Sequence, residues 1–148
     1  PWQDPHNADP RFTRVRLRTE VLPLLEQVLG GGVAEALART ATALREDNDT
    51  LDAMASDALA ELGADGVRDG LPIAAVSPLP AAVRRRVVRG WLLAGGAVGL
   101  NEVQIRAVDD LIIAWRGQGG VAVPSERPHE RLFAGRSNEL LTLYREPV

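Results

Sequence analysis

Cysteine is absent from the 148 residues, which excludes disulfides and thiolate metal sites and fits a reducing compartment. Lysine is absent as well. All 17 basic residues are arginine, so chemistry that needs a lysine amine from this chain is excluded, and arginine takes on work that lysine shares elsewhere. Two histidines, His6 and His129, each stand alone, and no metal site is expected from them. No apolar stretch approaches the roughly 20 residues that cross a bilayer, and no basic-then-apolar leader opens the chain. The expectation is a soluble, cytoplasmic protein with no membrane partner. Phosphate-cradling loops of the GxxxxGK[ST] or GxGxxG kind are also missing, and Ser56, Ser77, Ser125 and Ser137 lie in no nucleophile-elbow pattern. The chain opens at Pro1 inside a polar stretch, which reads as a fragment or processed product.

What is present is the composition of one globular domain, or of one domain with a remnant of another: 45% hydrophobic and 25% charged residues, rich in alanine, glycine and valine in the manner of a GC-rich genome. The net charge of −3 argues against a protein that simply coats nucleic acid. Its distribution is uneven. Between Glu35 and Asp69 there are nine acids and three arginines, whereas Leu79 to Leu100 holds four arginines and no acid. A polyanion should avoid the first segment and meet the second.

The pattern along the chain is helical, then β. Asp9 reads as an N-cap with Pro10 behind it, opening a helix whose stripe runs from Phe12 to Leu29, with Pro23 kinking or dividing it near Leu22 and Gly30 to Gly32 ending it. Residues 33–62 give the longest helical signal. Leu37, Ala41, Leu44, Asn48, Leu51, Ala55, Ala58 and Leu62 alternate in steps of four and three, the seam of a helix lying along another. Asn48 is its polar member, either setting register or simply exposed. After a turn at 63–70, Leu71 to Val76 suits a strand or extended segment. Ser77 is expected to cap a helix with Val83, Val87, Trp91 and Leu92 inside and Arg84, Arg85, Arg86 and Arg89 largely on the other faces. Asn101 caps the next helix, with Val103, Ile105, Val108, Leu111, Ile112 and Trp115 as its stripe. "GGVAVPS", "ERLFAGR" and "NELLTLYR" then read as strands with a hairpin near Arg136 to Asn138. The fold class expected is α+β, mainly α-helical.

Two arginine groups invite a functional reading. A run such as Arg84–Arg86 usually decorates a solvated helix face, yet four arginines without a local acid favour either an anion or pairing to the acidic helix. Arg106 and Arg116 on the following helix extend such a surface. In the opening stretch Arg14 and Arg18, four apart without an intervening acid, repel by a few tenths of a kcal/mol and call for Asp4, Asp9 or an external anion.

The segment "WQDPHNADPRFTRVRLRTEVLPLLE" resembles the one that closes the nucleotide-binding domain of tRNA(Ile)-lysidine synthetases, D-x-S-N-x-D-x-x-x-x-R-N-x-x-R followed by Leu-Pro-Leu-Leu. It matches at Asp4, Asn7, Asp9, Arg14, Arg18 and Leu22 to Leu25, and departs at His6 and Val15. "LPAAVRRRVVRGWL" resembles a helix of the family's substrate-binding domain, and the arginine-only composition is similar to that of actinobacterial members. The resemblance implies a ligase that uses ATP and Mg to adenylate C2 of the wobble cytidine in the CAU anticodon of an isoleucine tRNA, after which free lysine displaces AMP. In the family a Ser-Gly-Gly-x-Asp-Ser loop holds ATP. That loop is absent here, so this chain alone is expected to bind no cofactor and to be inactive.

The resemblance further implies the end of the catalytic domain and its connector helix over 1–30, and a tRNA-binding domain with its long helix over 31–148. Asn7, Arg14 and Arg18 become candidates for the active-site wall, and Arg84, Arg85, Arg86, Arg89 and Arg106 candidates for tRNA phosphate contacts. Two other readings stand beside it: a helical scaffold or regulator that forms a homodimer through Leu37 to Leu62, and a helix-turn-helix DNA reader. DNA is not expected, because the connector before Asn101 is longer and richer in glycine than such a turn.

Overall fold

A computed structural model of the chain describes residues 9–147, without the side chains of residues 64–68; Asn7 and His6 lie outside the described residues. The chain divides into two compact units, Pro1–Asp47 and Asn48–Val148.

In the first unit, Asp9 is not the helix cap that the sequence suggested. Its carboxylate takes the backbone N–H of Arg11 at 3.0 Å and the Arg11 guanidinium at 2.7 Å, closing a local turn, and the helix starts only at α1 (Thr13–Arg16). The Arg11 guanidinium, followed by that backbone N–H, holds the Asp9 carboxyl below the usual carboxylate range. A π-helical turn (Leu17–Val21) joins α1 to α2 (Leu22–Leu29), which has Pro23 in its first turn. Pro23 therefore divides the helix at Leu22, as its missing donor dictates, and the division is a widened turn rather than a break. Gly30, Gly31 and Gly32 all take positive φ, at 81°, 94° and 80°, and end α2.

The next helix, α3 (Val33–Arg68), contains one non-helical residue, Gly63, and continues as helix over residues 64–68, where the sequence suggested a turn over 63–70. Its first turn is satisfied from α2. The Glu26 carboxylate accepts the backbone N–H of Ala34 at 2.7 Å and of Val33 at 3.2 Å, and those two donors hold its pKa below the ordinary glutamate value. Much of this unit's apolar stripe faces solvent: Val15 is buried, whereas Leu24, Val28, Leu29, Leu37 and Leu44 are exposed.

The second unit is built on a four-stranded antiparallel sheet of order β1-β4-β3-β2, with β1 (Leu71–Pro72), β2 (Val121–Val123), β3 (Glu130–Ser137) and β4 (Leu140–Pro147). The expected hairpin is there. Ser137 pairs with Leu140 across a turn in which Asn138 adopts φ 55°, a conformation that asparagine tolerates. The run Leu71–Val76 is a strand only at its first two residues, after which α4 (Ile73–Val76) forms a helical turn. Ser77 closes that turn, and it is Pro80 that precedes α5 (Ala81–Ala94); the capping role expected of Ser77 is thus displaced by a second local element.

Asn101 does cap α6 (Glu102–Ile113), through a reciprocal capping box with Gln104 at 3.0 Å each way. Between α5, α6 and the sheet lies a core of Leu71, Val76, Val87, Val88, Trp91, Leu92, Val108, Leu111, Leu132 and Leu141. Ala55 of α3 is buried there too, with Leu51, Ala58 and Leu62 packed against it, so this half of the predicted seam is a buried face. Val103, in the first turn of α6, and Trp115, two residues beyond its last residue, both expected inside, are exposed at 76% and 39%. The class is α+β and mainly helical, as the sequence predicts.

Candidate functional site

In α5 the buried positions are Val83, Arg84, Val87, Val88, Trp91 and Leu92, two adjacent residues per turn. Such a stripe is wide enough to take Arg84 inside with its neighbours, and its 6% exposure departs from the surface position expected of it. The guanidinium is held by both carboxylate oxygens of Asp109 on α6, through Nε to Oδ1 and through Nη2 to Oδ2 at 3.2 Å. Its Nη1 donates to the carbonyl of Leu79 at 2.8 Å. Asp109 is 1% exposed, and a carboxylate so far from water requires such a partner.

The other three arginines of the run line a cleft of about 460 Å³ together with Asp52 of α3, Leu100, and Glu102 and Ile105 of α6. Each has a different electrostatic setting. Arg85 is half-buried and donates from Nε to Asp109 Oδ2 at 3.2 Å. Arg86 reaches α3, donating from Nε to Asp52 Oδ1 and from Nη2 to Asn48 Oδ1, both at 2.7 Å. Arg89 is exposed and, among the described residues, has no ion pair. The acidic helix therefore neutralises one arginine of the run, Arg85 shares Asp109 with Arg84, and Glu102 is paired with Arg106, so that Arg89 is the cleft arginine without an ion pair among the described residues. Asn48, the polar member of the seam, is exposed and serves as an acceptor for Arg86.

Arg106 lies on α6 beside this cleft in sequence, paired at 2.8 Å with Glu102, which lines it. Arg14 and Arg18 belong to the first unit and are exposed, with the Arg14 guanidinium over its neighbour Phe12 at 4.9 Å from the ring centroid. Asn7 lies outside the described residues. Sequence reasoning missed Asp109. The signal was available in principle: it stands four residues after Ile105 and three before Ile112, on the apolar stripe of α6. Among the described residues, no group of three His, Cys, Asp or Glu side chains is gathered to hold a cation, and no single helix is long and apolar enough to cross a membrane.

Comparison with known proteins places this cleft in context. Residues 71–137, from β1 to the end of β3 and so including α5 and α6, match the family model of the TilS substrate binding domain. The chain is 67% identical over 147 residues to the tRNA(Ile)-lysidine synthase of Mycolicibacterium paratuberculosis, covering 99% of this chain and 45% of that protein. Against the Mycobacterium bovis protein of the same name the figures are 66% over 148 residues, 99% and 46%. Against that of Rhodococcus erythropolis they are 55% over 143 residues, 97% and 43%. The chain thus spans under half the length of the curated relatives it matches. Residues 71–137 are similar to a TilS substrate binding domain, and nearly the whole chain is similar to part of proteins named tRNA(Ile)-lysidine synthase.

Proposed function

We propose that this chain is the tRNA-recognition portion of a tRNA(Ile)-lysidine synthase, a cytoplasmic ligase that joins lysine to C2 of the wobble cytidine in the CAU anticodon of an isoleucine tRNA at the expense of ATP. The observation that carries this reading is the arginine-lined cleft beside α5, where Arg89 has no ion pair among the described residues and Arg85 shares with Arg84 the single carboxylate of Asp109, which cancels only one of the two cations. Guanidinium groups so placed take phosphate oxygens bidentately and fix the register of an RNA backbone without reading its bases. Arg86 and Arg106 join the same surface when an RNA phosphate competes with Asp52 or Glu102. Arg84 holds the cleft wall from inside.

Asn7, Arg14 and Arg18 are proposed to line the catalytic cavity of the whole protein, by the family motif they match. The Ser-Gly-Gly-x-Asp-Ser loop that holds ATP in the family is not in this sequence, and ATP and Mg are proposed to be held elsewhere in the whole protein. Adenylation and lysine transfer are accordingly assigned to the rest of the protein, with free lysine supplying the amine that this lysine-free sequence cannot.

The test is binding of this chain to the CAU-anticodon isoleucine tRNA across a salt series, with methionine tRNA as competitor. Salt-sensitive binding that Arg85→Ala/Arg89→Ala weakens supports the reading, and wild-type binding by that double variant overturns it. A second reading has one observation in its favour: Leu37 and Leu44, the first half of the α3 seam, are each 56% exposed and would suit a homodimer in a non-enzymatic scaffold. A concentration-dependent sedimentation coefficient without tRNA affinity would select it.

A further inference from the structure

We infer that Asp109 is a positioning residue for RNA contact: it fixes the guanidinium of Arg85 so that Arg85 and Arg89 form a seat for a single backbone phosphate. The inference rests on the tRNA-binding reading above and assigns the subsite within it.

The charge balance of the buried group is the starting point. Asp109 is fully enclosed and already neutralised by Arg84, which engages both of its oxygens and gives its remaining nitrogen to Leu79. One carboxylate needs one such partner. Arg85 is a second cation on the same carboxylate, so the three side chains carry a net positive charge, and the partly exposed member is the one that lines the cleft. With its Nε committed to Asp109, the Arg85 plane is set, and among the described residues its two terminal nitrogens have no hydrogen-bond partner. A fork whose plane is fixed beforehand loses little conformational freedom when it takes a phosphate.

Arg89 stands one helical turn further along α5, exposed and without an ion pair among the described residues. Two like charges four residues apart repel, and an anion between them removes that repulsion. Arg86 is excluded from the seat by its bonds to Asp52 and Asn48. The ligand class follows from the chemistry: a singly charged phosphodiester, held by two guanidinium groups with no base contact.

The experiment is a double-mutant cycle in the full-length synthase, reading the dissociation constant for the isoleucine tRNA and its salt slope, with folding verified by circular dichroism. Asp109→Asn is expected to weaken binding about tenfold, as befits a charge-assisted contact, and to reduce the salt slope by about 1. In an Arg85→Ala background the same substitution should cost nothing further, because its route of action is gone. An undiminished loss in that background would show a merely structural role and overturn the inference, as would wild-type binding by Asp109→Asn where Arg85→Ala binds weakly. If neither Arg85→Ala nor Arg89→Ala alters binding, the cleft reading itself falls and takes this inference with it. Should Asp109→Asn not fold, Arg85→Lys decides: an ammonium cannot hold Asp109 and a phosphate in one plane, so a loss close to that of Arg85→Ala supports the seat, and full affinity refutes it.

Discussion

Arg86 of α5 is tied to Asp52 of α3 by a 2.7 Å contact from Nε to Oδ1, and the same guanidinium takes Asn48, one turn earlier on α3, through Nη2. Asp52 is 69% exposed, so the pair contributes at most about 1 kcal/mol to stability and is screened by salt. Its larger effect is on charge in the cleft. Asp52→Asn should leave the unfolding midpoint within experimental scatter and tighten tRNA binding severalfold at low salt, with the gain vanishing at high salt. Weaker binding at low salt would refute the idea that Asp52 competes with RNA for Arg86.

Arg84 and Arg85 share Asp109 but are predicted to differ sharply in stability. Arg84→Met removes the partner that engages both carboxylate oxygens and leaves a carboxylate at 1% exposure to the single bond from Arg85, a loss of about 3–5 kcal/mol. Arg85→Met leaves the Arg84 contacts in place and should cost about 1 kcal/mol or less. Urea unfolding of the two variants tests the ordering, and equal midpoints would contradict it.

Glu26 gives a pH dependence of definite sign. Its folded pKa is depressed by the N–H groups of Ala34 and Val33, so its contribution is present above the unfolded value, about 4.3, and is lost as pH falls through the lower folded value. Below pH 4.3 the first turn of α3 should therefore loosen progressively. Amide exchange at Val33 and Ala34, corrected for its intrinsic pH dependence, should accelerate over that interval in the wild type. Glu26→Gln should show the faster exchange already at neutral pH and no acid-dependent change.

Much of this architecture was legible because local chemistry and tertiary packing agree. The capping box of Asn101 is decided within four residues, the hairpin by Asn138 and the alternation on either side, and the end of α2 by three glycines at positive φ. The failures have a common physical origin. Asp9 and Ser77 are good caps in isolation, but Asp9 closes a turn on Arg11 and Ser77 finishes a short helix, so each is used up before the helix it was expected to start. The site divides in the same way. A run of arginines in an acid-free segment drew attention to α5, where three of the four line the cleft, whereas the inward turn of Arg84 depends on a carboxylate 25 residues away whose burial follows from packing α6 against α5. Spacing within α6 put Asp109 on the apolar stripe, but its partner is specified by no local pattern.

Gly70 supplies the sharpest stability prediction. Its φ of 141° lies in a region that side chains rarely adopt, and a Cβ there would meet the backbone carbonyl oxygen of Leu141 at 2.6 Å. Leu141 is the strand partner of Leu71, so that oxygen cannot retreat without disturbing the β1–β4 pairing. Gly70→Ala therefore combines backbone strain with overpacking, each of order 1–3 kcal/mol. Gly119 is the control, since a Cβ there meets nothing within 4 Å and its backbone carries no such φ. Gly119→Ala should be neutral or slightly stabilising through the unfolded chain. Because β1 opens the segment matched to the substrate binding domain, the Gly70→Ala loss should also appear as weaker tRNA binding, recovered by lowering the temperature until the variant is folded. Thermal unfolding and tRNA binding measured side by side test both halves, and a fully stable Gly70→Ala protein would show that the β1–β4 junction is looser than its geometry requires.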